Sequence, residues 1–179
     1  METWETPLVE DWEAFLAPYY QAIEELKIKL KGIRRQYRQE GKHAPIEFIT
    51  GRVKTPESIV EKMQVRNIPR EELLEGVQDI AGLRIMCQFV DDIYEVVRLI
   101  RQRNVFDIVI ERDYIQNKKA SGYRSYHIVL EYPVQRIEGE TKILVEIQIR
   151  TLAMNFWATI EHSLNYKYKG EFPDTIHER

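Results

Sequence analysis

The stretch that most constrains the fold runs from Lys142 to Arg150, KILVEIQIR. Ile143, Val145, Ile147 and Ile149 alternate with Leu144, Glu146, Gln148 and Arg150. A period of two sends these sets to opposite faces of a strand. The first set is wholly β-branched and reads as core. The second carries a carboxylate, an amide and a guanidinium in a row. An ionised glutamate among so much aliphatic surface is costly unless a cation or hydrogen bonds compensate it. Two readings stay open. One is an edge strand whose polar face meets water. The other places Glu146 at the floor of a site, with a metal ion or a proton to handle.

The remaining chain supplies enough apolar material to bury such a strand. At 179 residues, 44% hydrophobic and 31% charged, it fits one globular domain with a sizeable core. No apolar run approaches the roughly 20 residues of a membrane helix, and no signal peptide is visible, so a cytoplasmic protein is expected. Cys87 is the only cysteine, sits in an apolar run and reads as core. Net charge is −3, but Lys31 to Arg66 holds nine basic residues against four acidic ones. A basic segment in an acidic protein points to a local anion site more than to a nucleic-acid coat; solvated helix surface is the alternative.

Residues 10–39 read as one long helix, with Trp12, Leu16, Tyr19, Ile23, Leu26, Leu30, Ile33 and Tyr37 forming a seam suited to another helix. Pro18 either kinks that helix or marks its start. Residues 46–53 form a strand. Thr55 then caps a helix with Pro56 at its first position, ending near Arg66. A short helical piece covers 70–76 and a strand 77–90, where Gly82 suggests close approach of a ligand or backbone. Asp91 caps a helix over 92–103. Strands follow at 106–112, 123–132 and 142–151, with a loop at 113–122 and a turn at 135–140. The last helix runs from Leu152 to about Tyr168. Alternation first and hairpins later predict an α+β fold: a single domain with a mixed five-stranded β-sheet flanked by helices.

Several constellations could carry chemistry. Asp79 and Glu146, from neighbouring strands, could share Mg²⁺, which takes one or two carboxylates plus waters and phosphates; a salt bridge is the alternative for Asp79. Arg52, Lys54, Ser58 and Lys62 gather a strand end and a helix N-terminus, a setting that attracts phosphate. No Walker motif is present. Arg84 could stack on a base. In the loop DYIQNKKASGYRSY, Lys118, Lys119 and Arg124 flank Gly122 and Tyr123, suiting a nucleotide whose base meets the ring. A plain hairpin loop with a core tyrosine would look the same. Asn155, Thr159, His162 and Tyr166 share a stripe of the last helix. His162 lacks a second ligand at zinc spacing, and no Ser or Cys nucleophile elbow is visible.

The motifs FITGRVKTPESIVEK (48–62), QDIAGLRIMCQFVDDI (78–93), SGYRSYHIV (121–129) and VEIQIRTLAMNFWATIEHSLNYK (145–167) resemble those of the bacterial small alarmone synthetases, RelQ type. These are the stand-alone synthetase-domain members of the RelA/SpoT family, with a nucleotidyltransferase-like fold. The resemblance covers nearly the whole chain. It implies one (p)ppGpp synthetase domain over 1–179, with 10–39 as the long helix and 77–168 as the catalytic strands and final helix. The implied reaction transfers the β,γ-pyrophosphate of ATP to the 3′-hydroxyl of GDP or GTP. No His-Asp dipeptide occurs, so no hydrolase activity is expected.

By the same resemblance, Asp79 and Glu146 bind Mg²⁺, and Glu146 takes the 3′-hydroxyl proton. Arg52 and Arg84 clamp adenine, while Lys54, Ser58, Lys62, Arg112 and Lys119 hold ATP phosphates. Tyr123 stacks on guanine; Gln148 and Asn155 help bind the guanosine substrate, with His127 beside the nucleotides. A homotetramer is implied, with pppGpp as allosteric activator at Lys31, Phe48 and Thr50. The sequence stops at Arg179, whereas relatives continue into further helix that helps assembly. Two other functions fit the residues: a regulator binding nucleotide or single-stranded RNA, and a nucleotidyltransferase that releases pyrophosphate.

Overall fold

Asp11 starts the first element. Its Oδ1 accepts a hydrogen bond from the Ala14 amide at 3.1 Å, capping α1, Trp12–Gln39. In the computed structural model, which describes residues 6–104 and 106–168, this helix continues through Pro18. Pro18 therefore does not mark its start: the cap lies upstream, and Leu16 and Tyr19 are buried on either side. The seam packs on the sheet rather than on another helix. Leu16, Tyr19, Ile23, Leu26, Leu30 and Ile33 are buried, and α1 lies against β1, β2, β4 and β5.

The strands are β1 (Phe48–Val53), β2 (Ala81–Cys87), β3 (Asp107–Asp113), β4 (Tyr126–Arg136) and β5 (Gly139–Thr151). They form one mixed sheet in the order β1-β2-β5-β4-β3. β5 pairs parallel with β2 and antiparallel with β4. It is thus the central strand, and the wet-edge reading of KILVEIQIR is wrong. Both its ladders are occupied, so it has no free edge.

The helices are α2 (Pro56–Val65), α3 (Leu73–Gly76, after a 3₁₀ turn at Arg70–Glu72), α4 (Val90–Arg101) and α5 (Leu152–Tyr168). Buried faces of α1 and α4 share one core with Leu83, Ile85, Ile128, Leu130, Val145, Ile147 and Ile149. Cys87 belongs to that core, as expected. Gly51 permits the close approach of β1 to α1: a Cβ there would fall 2.6 Å from Ile23 Cγ2. Of the two readings of Gly82, close approach of another backbone is absent, since a Cβ there would meet nothing within 4 Å.

Other boundaries also differ from expectation. β2 begins at Ala81, so Asp79 lies in the turn before it rather than in the strand. Helix α4 begins at Val90; Asp92, not Asp91, does the capping, its Oδ2 accepting from the Phe89 amide at 3.1 Å. β4 begins at Tyr126, which leaves Tyr123 in the preceding loop, where Gly122 adopts a φ of +81°. That left-handed turn suits glycine and lets the chain swing Tyr123 back over the sheet.

Candidate active site

The register builds the site. Thr50, Arg84, Gln148, His127 and Arg112 are successive Cα partners across all five strands. One step along, Arg52 pairs with Gly82, and Gly82 with Glu146. The missing side chain of Gly82 thus leaves open space between a guanidinium and a carboxylate. All these positions share the face opposite α1, which is why the alternation of β5 is polar there and aliphatic on the other side.

A cavity of about 300 Å³ opens on this face, walled by Thr50, Arg52, Asp79, Gly82, Arg84, Glu146 and Gln148 among others. Asp79 and Glu146 therefore face one space. The amide of Gln148 donates to Glu146 Oε1 at 2.9 Å. Asp79 receives two cations: Lys62 Nζ donates to Oδ1 at 2.6 Å and Lys54 Nζ to Oδ2 at 3.2 Å. Burial pushes this carboxyl up, but the hydrogen bond and charge of Lys62, then those of Lys54, outweigh it and hold the pKa below the ordinary value. The salt-bridge reading of Asp79 and its place at the cavity thus hold together.

A second cavity adjoins the first, sharing Arg52 and Arg84, and is lined also by Tyr123, Arg150, Thr159 and His162. Arg84 donates to Asn155 Oδ1 at 3.2 Å and Gln148 Oε1 at 3.4 Å, while its Nε is buried with no partner. Burial, with Arg150 and Arg52 nearby, lowers its pKa. The Tyr123 hydroxyl meets His127 Nε2 at 2.8 Å, and the imidazole is packed edge-on by Tyr114. Burial, helped by Arg150, Lys119 and Arg112, brings the His127 pKa down to about 4, so this ring is neutral near pH 7. Lys119 lies 4.4 Å from the Tyr114 ring centroid and 5.4 Å from that of Tyr123. Lys119 thus stands at the rim, with Arg112 beside His127 on β3.

Not every expected residue lines these cavities: Lys54, Lys62, His127 and Asn155 reach lining residues through hydrogen bonds, and Arg112 and Lys119 stand outside both. Ser58 sits in the first turn of α2, its amide donating to Thr55 Oγ1 and its hydroxyl oxygen accepting from the Thr55 hydroxyl. Phe48 and Thr50 share the site face of β1, whereas Lys31 belongs to α1 on the other side, so one chain does not bring the three together. The side chain of Tyr166 lies outside the described residues. Sequence reading gave no role to Arg150 or Ser125. Both are buried, at 4% and 0% exposure, and join the same network. The signal for Arg150 was its register: it is two residues from Gln148, on the same face.

Residues 51–171 match the protein-family model described as a region found in RelA / SpoT proteins. The chain belongs to the RelA/SpoT family. Among its relatives, the chain is 62% identical to GTP pyrophosphokinase YjbM of Bacillus subtilis over 167 residues, covering 93% of this chain and 79% of that protein. The fold matches the crystal structure of small alarmone synthetase 1 from Bacillus subtilis bound to its product pppGpp, with a TM-score of 0.86 and 61% identity. That match covers 94% of this chain and 86% of the other. A crystal structure of small alarmone synthetase 1 from Bacillus subtilis bound to AMPCPP matches at a TM-score of 0.78 and 56% identity, over 92% and 83% of the two chains. The expected RelA/SpoT family and the mixed five-stranded sheet are thereby established.

Proposed function

We propose that this chain is a GTP pyrophosphokinase, moving the β,γ-pyrophosphate of ATP onto the ribose 3′-hydroxyl of GDP or GTP. The observation that carries this reading is the shared wall of the first cavity: two carboxylates, Asp79 and Glu146, between two guanidiniums, Arg52 and Arg84. A simple anion binder needs no carboxylates there, because they repel phosphate.

The chemistry follows from that wall. The 3′-hydroxyl oxygen attacks the β-phosphorus of ATP, the bond to the α-phosphate breaks, and AMP leaves. The proton goes to Glu146, which Gln148 holds in place through its 2.9 Å hydrogen bond. Arg52 and Arg84 clamp adenine. Lys54 and Lys62, now on Asp79, turn to the triphosphate, helped by Ser58, Arg112 and Lys119. Tyr123 stacks on guanine in the second cavity, with His127, Gln148 and Asn155 around the nucleoside.

The donor set suits magnesium. Asp79 and Glu146 offer only carboxylate oxygens, and no group of three or more His, Cys, Asp or Glu forms a metal cage among the described residues. Such a pair fits Mg²⁺, which completes its shell with water and phosphate oxygens. When bound, the ion offsets charge on the transferring phosphoryl oxygens.

Regulation by pppGpp would use Lys31 with Phe48 and Thr50 across a subunit contact of a homotetramer, since one chain separates them. ATP and GTP as substrates suit a cytoplasmic enzyme, and no described helix is long and apolar enough to cross a membrane. Product analysis after incubation with ATP, GDP and Mg²⁺ separates the readings. Free AMP with ppGpp supports transfer. Free pyrophosphate points to nucleotidyl transfer, and nucleotide binding without turnover points to a regulator.

A further inference from the structure

Arg150 is unusual chemistry for a central strand. It is 4% exposed, yet none of the ion pairs among the described residues involves it. A buried guanidinium without a carboxylate is costly, and an apolar residue would serve the fold better at that place. Its strand partner, Met86, shows that an apolar side chain fits the same layer.

What Arg150 touches explains its presence. Nε donates to Ser125 Oγ at 3.3 Å, one terminal nitrogen to Asn155 Oδ1 at 3.4 Å, and the other to the Tyr123 hydroxyl. Its Cζ lies 5.1 Å from the Tyr123 ring centroid. Ser125 in turn reaches the Ile149 carbonyl at 3.5 Å, which ties the fork to β5 itself. One planar group thus connects a loop (Tyr123), a strand (β5) and a helix (Asn155 on α5). Tyr123 is also held by His127 and Asn155 by Arg84, but Arg150 is the group that touches both, and loop and helix both line the second cavity.

We infer that Arg150 is the positioning residue of the guanosine acceptor pocket: its fork fixes Tyr123 and Asn155 relative to each other before the nucleotide arrives. The inference rests on the reading of the second cavity as the guanosine site. Its physical basis is preorganisation. A loop tyrosine that must be ordered on binding weakens affinity, and a side chain locked beforehand removes that cost. The planar fork also matters as geometry, because a lysine carries the charge but its three donors share one nitrogen and cannot span acceptors spread around a plane.

The test is a binding double-mutant cycle read by calorimetry with GDP alone and with a non-hydrolysable ATP analogue alone. The proteins are wild type, Arg150→Met, Arg150→Lys, Tyr123→Phe and Arg150→Met/Tyr123→Phe, each checked for native circular dichroism. Arg150→Met is expected to weaken GDP binding about tenfold while changing ATP-analogue binding less than about threefold. Arg150→Lys should behave like Arg150→Met. The loss caused by Arg150→Met should shrink in the Tyr123→Phe background, because the hydroxyl link is already gone. Equal losses for both nucleotides, rescue by lysine, or strictly additive effects would each overturn the inference. If Arg150→Met fails to fold, Tyr123→Phe decides: weaker GDP binding supports the link, and unchanged binding refutes it. Wild-type protein that binds GDP but forms no ppGpp would sink the transfer reading and leave these binding results to judge Arg150. Wild-type protein that binds no guanosine nucleotide overturns both.

Discussion

At the scale of single residues, the site is a set of charges placed by strand register. His127 illustrates how that placement has a cost. Its imidazole titrates at about 4 against 6.5 for the free side chain, through burial first and the cations Arg150, Lys119 and Arg112 next. Between those values the unfolded chain takes a proton that the native protein refuses. Stability from this group is therefore full above pH 6.5 and is lost as pH falls towards 4, by about 3 kcal/mol at most. Replacing His127 by Gln removes a group that titrates in that window. Urea unfolding at pH 7 and at pH 4.5 should show a smaller acid-side loss for the variant than for the parent. Asp79 acts lower: its depressed carboxyl contributes stability above its ordinary value of 3.8 that is lost only as pH falls below it. A variant with the parent's full acid-side loss would mean that His127 takes its proton freely in the folded protein.

At the scale of elements, the site depends on how close β1 can come to α1. Gly51 has no room for a side chain, with Ile23 Cγ2 2.6 Å and Leu83 Cδ2 3.0 Å from where a Cβ would stand. Gly51→Ala must push strand and helix apart, at a cost of about 1–3 kcal/mol. It also moves Arg52, the next residue, so ATP affinity should fall more than GDP affinity. Thermal unfolding and nucleotide titration check both outcomes. The sequence singles out Gly82 and not Gly51, since a lone glycine in a strand does not say whether a neighbour or open space lies above it. The elements themselves were legible where period and caps were strong: α1 from its seam, α2 from Thr55 and Pro56, β5 from strict alternation. The expected strand over 123–132 begins only at Tyr126, because the left-handed turn at Gly122 leaves Tyr123 in the loop. The polar face of β5 was legible as chemistry, but its central position was not. Strand order depends on which chains pair across the sheet, and no local pattern records that. The contacts of Arg150 are equally invisible in the sequence: Ser125 and Tyr123 reach it only because β4 pairs beside β5.

At the scale of the whole molecule, two cavities meet at Arg52 and Arg84, one carrying the acids and the other Tyr123. Under the proposed function, the two cavities would take one nucleotide each, with the reacting groups between Glu146 and the lysines Lys54 and Lys62. Membership of the RelA/SpoT family and close likeness to small alarmone synthetases agree with the same reading. The central claim is that Glu146 accepts the proton of a ribose hydroxyl as pyrophosphate is transferred. The most direct measurement uses ATP labelled in its γ-phosphate, with GDP and Mg²⁺, on the wild-type protein and on Glu146→Gln. Gln148 can still donate to a glutamine oxygen, so nucleotide binding should be retained in the variant. Label should appear in ppGpp with wild type, matched by AMP, and fall at least about a hundredfold with Glu146→Gln. Label transfer at a similar rate by both proteins, or none by folded wild type that binds both nucleotides, would contradict the account.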